Sequence, residues 1–210
     1  MNEKKIDAIV LASGGLDSTT LMYYLLDKNV NFIPVFINYG QHCKETEYQR
    51  LLEVLPQKCS EKVHIINLSS IYTASNSVLI KEVDLWSQSI TNSDMYLPYR
   101  NLLFLSAGAA YAQSRKIQKI YAAFINSNHA IEIDCSTDFF NSLSQLLSDY
   151  GTIKIELPFK DFSKYEVATL GIKLNAPIAK TFSCQVSSTV PCGACPNCYE
   201  RLEALKKLHV

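Results

Sequence analysis

A short glycine-bearing stretch near the start, Leu11-Ala12-Ser13-Gly14-Gly15-Leu16-Asp17-Ser18-Thr19-Thr20, leaves this chain few ways to fold. It follows the apolar run Ile6 to Leu11 and precedes an amphipathic segment, Leu21 to Lys28, so it reads as strand, phosphate loop, helix. Adjacent glycines let the backbone turn sharply and aim successive N–H groups at an anion, and the helix that follows adds its positive N-terminal end. Ser13, Ser18 and Thr19 offer hydroxyl donors, and Asp17 offers oxygen ligands suited to magnesium. Ala12 to Thr19 are therefore candidate nucleotide-binding residues, with Asp17 and Ser18 the candidate catalytic pair. The alternative is a Ser/Gly/Asp turn that only caps a helix. The Gly-Lys-Ser/Thr of a Walker loop is missing, which argues against the usual gamma-phosphate cradle.

The segments after the loop repeat its pattern. Asn31 to Asn38 is a second buried-strand run, and a crossover helix between two such strands implies a parallel sheet. Tyr39-Gly40-Gln41 closes that strand at its carboxyl end, where ligands sit in open α/β sheets, so these three join the candidate nucleotide or base site. Tyr48, Leu51, Leu52 and Leu55 predict a helix ended by Pro56, and His64 to Leu68 a third strand. Ser69 to Asp94 is polar and aperiodic, with Trp86 its one large anchor, and reads as a lid or binding loop. A helix rich in small residues, Leu102 to Ser114, is opened by Tyr99-Arg100-Asn101. Strands are expected at Ile120 to Ile125 and Ile153 to Leu157, and a helix between them is ended by Gly151. Ser163-Lys164-Tyr165-Glu166 fits a capping box. The fold expected is a doubly wound parallel α/β sheet, residues 1–180, with a small zinc-binding extension, 181–210.

Twenty basic and twenty acidic residues balance, which disfavours a protein that grips nucleic acid through its phosphates. Neither a signal-peptide core nor an apolar run of membrane-spanning length is present, so the expected compartment is cytoplasmic. Of seven cysteines, Cys184, Cys192, Cys195 and Cys198 form C-x7-C-x2-C-x2-C, with Gly193 and Pro196 shaping the turns. Four thiolates suit tetrahedral, structural Zn2+, with an iron–sulfur cluster or a redox Cys195/Cys198 pair as alternatives.

The loop resembles that of the PP-loop ATP pyrophosphatases, which attach AMP to a carbonyl or carboxylate oxygen and release pyrophosphate. With the cysteine tail, Pro98-x-Arg100-Asn101, Asp134-Cys135, Lys164-x-Glu166 and Thr181-x-Ser183-Cys184, the chain resembles the 7-cyano-7-deazaguanine synthase family, QueC, nearly end to end. The resemblance implies an adenine nucleotide alpha hydrolase-like fold and use of ATP, Mg2+ and Zn2+. It implies conversion of the carboxylate of 7-carboxy-7-deazaguanine to a nitrile with ammonia and two ATP. Lys164 and Arg100 are the candidates for phosphate or carboxylate contacts, and Asp134, Cys135, Arg100 and Asn101 for the substrate. His42 and His129 are weaker acid–base candidates. A homodimer is also implied.

The departures bear on the product. Where the family has Gly-Tyr-Pro-Asp-Cys-Arg, this chain reads Ile131-Glu132-Ile133-Asp134-Cys135-Ser136, and Gln185 stands where Tyr follows the first zinc cysteine. The family's glutamate after Tyr-Gly-Gln has no clean match in His42-Cys43-Lys44-Glu45. Three further readings follow: a divergent, defence-associated enzyme that passes the activated acid to an amine of a partner protein, a tRNA-modifying PP-loop enzyme, and a nucleotide-binding module without turnover.

Overall fold

In the computed structural model, described for residues 5–59, 61–82, 90–91, 93–125 and 133–209, five strands form one parallel sheet. They are β1 (Ala8–Leu11), β2 (Phe32–Asn38), β3 (His64–Asn67), β4 (Lys119–Tyr121) and β5 (Lys154–Glu156), in the order β3-β2-β1-β4-β5. Chain order reverses between β1 and β4, so the sheet is doubly wound and its switch point lies beside the glycine loop.

The two-residue period of each strand explains the layers. In β1 and β2, Ala8, Val10, Phe32 and Phe36 face one apolar layer, while Ile9, Ile33, Val35 and Ile37 face the other. The first layer is closed by α1 (Leu16–Asp27), α2 (Lys44–Val54), α5 (Lys164–Lys173) and α6 (Pro196–Lys207). The second is closed by α3 (Arg100–Ser114) and α4 (Thr137–Tyr150). Both faces of the central strands are therefore covered, which is why they read as unbroken apolar runs.

Several boundaries differ from expectation for physical reasons. Helix α1 begins at Leu16, so Asp17, Ser18 and Thr19 form its first turn, where an acidic residue faces the positive helix end. Strand β4 ends at Tyr121. Residues 122–125 run past the sheet edge with one further ladder bond, Ala122 N–H to Glu156 O at 3.2 Å, and line a cleft instead. Gly151 ends α4 in an extended conformation, not the left-handed cap, and a Cβ there would sit 2.5 Å from Gln113 Oε1. The small residues of α3 serve close packing on the sheet: a Cβ on Gly108 would already touch Ile9, Leu11 and Ile120. That contact is intramolecular, so this helix lends no support to a homodimer.

The 69–94 stretch is packed in its described part. Tyr72, Val78 and Leu79 are buried, Tyr72 Oη donates to Pro98 O at 2.7 Å, and the His42 N–H donates to Leu79 O at 3.0 Å. Trp86, His129, Ile131 and Glu132 lie outside the described residues. No described helix is long and apolar enough to cross a membrane.

Candidate active site

Above the carboxyl ends of β1, β2 and β4 lies a cleft of about 770 Å³. That is ample for a nucleotide beside a small heterocycle. It brings together Ala12, Ser13, Gly15, Asp17 and Ser18 with Tyr39, Gln41, Arg100, Asn101 and Lys164.

The loop end is held open for an anion. Ser18 Oγ accepts from the Ser13 N–H at 3.2 Å and donates to Gly15 O at 3.3 Å, while the Gly15 N–H donates to Ser13 Oγ at 3.4 Å. Gly15, the residue before α1, has no side-chain cap, so among the described residues no side chain occupies the helix N-terminus beside the cleft. Gly14 adopts φ +77°, and a Cβ there would lie 2.6 Å from Leu51 N and 2.8 Å from Glu47 O. The loop therefore lies directly on α2. Its other side is clipped by the Phe182 N–H, which donates to Gly14 O at 3.1 Å.

Asp17 Oδ2 accepts from Lys164 Nζ at 2.5 Å, and Asp17 Oδ1 is buried with no partner among the described residues. An unpaired carboxylate oxygen is the kind of ligand that would hold a hard cation such as Mg2+. Lys164 is positioned by the capping box: Ser163 Oγ accepts from the Glu166 N–H at 3.2 Å, and Glu166 Oε2 accepts from the Ser163 N–H at 2.7 Å. The bonds from the Ser163 N–H and the Ser163 hydroxyl hold the Glu166 carboxyl below its usual range. Glu166 is thus a helix cap at the cleft edge.

At the other end, the left-handed Tyr99 (φ +57°) precedes α3 and turns Arg100 and Asn101 into the cleft. The Asn101 N–H donates to Asp134 Oδ2 at 2.9 Å, and Asn101 Nδ2 donates to Asp134 O at 3.2 Å and to Cys135 Sγ at 2.8 Å. Asp134 is buried and caps α3, so neither it nor Cys135 is among the described residues that line the cleft. The resemblance implies substrate contact for these two residues, and in the structure both hold Asn101, which lines the cleft. Leu16 and Thr19 are likewise buried in α1, the Thr19 hydroxyl has no partner among the described residues, and neither they nor the half-buried Gly40 are among the described residues that line the cleft. Phe104, Phe124 and Phe162 supply aromatic walls, and Tyr39 packs on Phe104 with ring centroids 5.1 Å apart.

Two groups escaped the sequence reading. Glu47, on α2, is 8% exposed and lines the cleft, with Oε2 accepting from Gln41 Nε2 at 2.9 Å. Burial pushes its carboxyl up to about 7, against the opposing effects of the Gln41 hydrogen bond and the Arg100 charge. Its signal was available: Glu47 shares a helical face with the fully buried Leu51 and Val54, an acidic residue in an apolar stripe. The second group is Gln185, Asn197 and Glu200, which come from the cysteine extension to form a polar wall. Asn197 Nδ2 donates to Gln185 Oε1 at 2.7 Å. His42 does not line the cleft, and its Nε2 bonds Gln185 O at 3.1 Å to steady that wall.

Cys184, Cys192, Cys195 and Cys198 place their sulfurs within 4.8 Å of one another, Cys192 and Cys198 at 3.9 Å. Tetrahedral Zn–S bonds of about 2.3 Å require sulfurs about 3.8 Å apart, so the set fits zinc. Hydrogen bonds from Cys195 and Cys198 hold the Cys184 thiol well below its usual range, and the same bond to Cys184 raises Cys195 to about 11. A dication would take the place of those shared protons. Three of the four cysteines are buried in the core layer, and Arg201 donates to Ala179 O at 3.1 Å, tying α6 to the turn before the extension.

A strand, an SGGxDS loop and a helix at the switch point of a parallel sheet define a PP-loop ATP pyrophosphatase fold. A solved 4-thiouridine synthetase in complex with RNA and ATP shares it, with a TM-score of 0.57 at 17% identity, over 97% of this chain and 51% of that one. This chain thus spans about half of that protein, and the likeness concerns the fold alone. The profile of queuosine biosynthesis protein QueC matches residues 7–209. A 7-cyano-7-deazaguanine synthase of Caldicellulosiruptor saccharolyticus is 32% identical over 210 residues, covering 97% of this chain and 92% of that protein. One from Thermoplasma volcanium is 32% identical over 209 residues, covering 93% and 85%. The chain belongs to the QueC family and is an ATP-dependent enzyme of the PP-loop superfamily.

Proposed function

We propose that this chain adenylates the carboxylate of 7-carboxy-7-deazaguanine and passes it to ammonia, giving the amide and then 7-cyano-7-deazaguanine. The observation that carries the reading is a single cleft joining the anion-binding loop to a slot walled by Phe104, Phe124, Arg100 and Asn101. A carboxylate bound there can meet the α-phosphate of an ATP whose leaving pyrophosphate lies on the loop.

A carboxylate is a poor electrophile because its negative charge repels nucleophiles. Its oxygen attacks the α-phosphorus, the bond to the β-phosphate oxygen breaks, and pyrophosphate leaves. The loop amides and Lys164 face the charge that builds on the leaving group, where preorganised donors lower the barrier most. Asp17 Oδ1 and the phosphates would hold Mg2+, which neutralises that charge when bound. Arg100 orients the acid carboxylate, and the aromatic walls exclude water that would hydrolyse the adenylate. Ammonia then displaces AMP to give the amide. A second adenylation, on the amide oxygen, lets the nitrogen lose its protons as AMP departs, leaving the nitrile. The four cysteines would hold structural Zn2+ and, through it, the Gln185–Asn197 wall.

The test is mass spectrometry of purified protein with magnesium-ATP, the acid and ammonia. The reading expects nitrile, AMP and pyrophosphate, all lost in Asp17→Ala. An acid adenylate without nitrile, or a conjugate on an added protein amine, would replace ammonia as the acceptor.

A further inference from the structure

We propose that Glu47 is the catalytic base that takes the proton from the attacking nitrogen when ammonia displaces AMP. The inference rests on the acid-activating reading above. Glu47 is nearly buried, yet it lines the cleft between the loop and Arg100. Its backbone oxygen would lie 2.8 Å from a Cβ on Gly14, so the residue sits against the phosphate loop itself. One carboxylate oxygen is fixed by Gln41 Nε2 at 2.9 Å, and Gln41 is in turn locked by donating to Ile37 O at 3.2 Å and accepting from the Tyr39 N–H at 2.9 Å. The other oxygen, Oε1, has no hydrogen bond among the described residues, which leaves Glu47 a fixed acceptor with one free site.

The need for a base follows from the chemistry. Neutral ammonia adds through its lone pair to the carbonyl carbon of the acyl adenylate, forming the C–N bond and an adduct with a cationic –NH3+ group. One N–H proton passes to Glu47 Oε1, the carbonyl reforms, and the C–O bond to AMP breaks with its electron pair leaving on the phosphate. Glu47 then releases the proton to solvent. A base is most useful when it titrates near the working pH. The charged and titratable groups around Glu47 are Arg100 on α3, Tyr39 at the end of β2, and Cys43 at the start of α2. Burial raises Tyr39 and Cys43, so both stay neutral, and among the described residues Arg100 is the charge that assists ionisation.

The experiment compares wild type with Glu47→Gln, which keeps the volume and a hydrogen bond to Gln41. Three quantities are read: acid-dependent exchange of labelled pyrophosphate into ATP, amide plus nitrile formation from ammonia, and hydroxamate formation from hydroxylamine. Hydroxylamine is unprotonated at neutrality and strongly nucleophilic, so it needs little help from a base. Glu47→Gln is expected to keep exchange within about threefold, lose about 10²-fold or more in the ammonia reaction, and keep most hydroxamate formation. Plotted against neutral ammonia, the wild-type rate should rise through about pH 7, and that limb should vanish in the variant. Loss of exchange together with amide formation, or an unchanged pH limb, would overturn the assignment. If wild type forms neither amide nor hydroxamate, the acid-activating reading itself fails, and with it the role of Glu47.

Discussion

Glu47 should cost the protein stability in a pH-dependent way, and the cost can be worked out. Its carboxyl, ordinarily at 4.5, is raised to about 7 by burial. Between those values the native state holds a proton that the unfolded chain has given up, so stability falls as pH rises through the window and the loss is complete above about 7. The full difference is about 3 kcal/mol, of which about 2 to 3 kcal/mol falls between pH 5 and pH 8. Glu47→Gln carries no such proton. The stability of the variant relative to wild type should therefore grow by that amount between the two pH values, whatever the offset at pH 5. With a urea slope of about 2 kcal/mol/M, this is a relative midpoint shift of about 1 M. Urea unfolding followed by circular dichroism, with zinc and reductant present, measures it. Parallel pH dependence of the two midpoints would refute the view that burial raises the Glu47 carboxyl. A gain in stability at the expense of turnover would mark the position as functional.

Gly14→Ala places a Cβ against the backbone of α2 at a positive φ, so it should destabilise by about 2 to 3 kcal/mol and weaken ATP binding in calorimetry, and unchanged values would contradict the loop geometry. Cys192→Ser should lower bound zinc from one equivalent to near none and make α6 sensitive to protease, since the cysteine loop has few apolar residues of its own to order it. Retention of a full zinc equivalent would break the four-ligand assignment. Ser163→Ala removes the capping bonds of α5 and should cost about 1 kcal/mol in urea unfolding; no change would mean that Lys164 is positioned by other contacts.

The parts of this protein legible in its sequence are those where one local rule decides. Ile6 to Leu11 and Asn31 to Asn38 were readable as strands because a sheet covered on both faces needs unbroken apolar runs. The capping box at Ser163 was readable because both of its bonds lie within four residues. The place of Asp134 and Cys135 was less legible, because proximity to a pocket loop does not say which way a side chain faces: here the buried Asp134 carboxylate satisfies the amide of Asn101. Glu47 was missed because the helix is read from its apolar residues Tyr48, Leu51, Leu52 and Leu55, and a carboxylate one turn before Leu51 adds nothing to that pattern. The Gln185–Asn197 wall needed long-range knowledge, since its place depends on how the cysteine loop folds back against the segment after β2, through the bond between His42 and Gln185 O. The hydrogen bond from the Thr46 hydroxyl to Ser188 O anchors the same loop and is equally invisible in sequence.

The proposed work of the phosphate loop is transfer of AMP to a carboxylate oxygen. The most direct measurement uses 7-carboxy-7-deazaguanine labelled with 18O in its carboxylate, incubated with magnesium-ATP, ammonia and the protein. The account predicts one 18O in the phosphate of AMP and none in pyrophosphate. Appearance of ADP with labelled inorganic phosphate, or of AMP free of label, would contradict it.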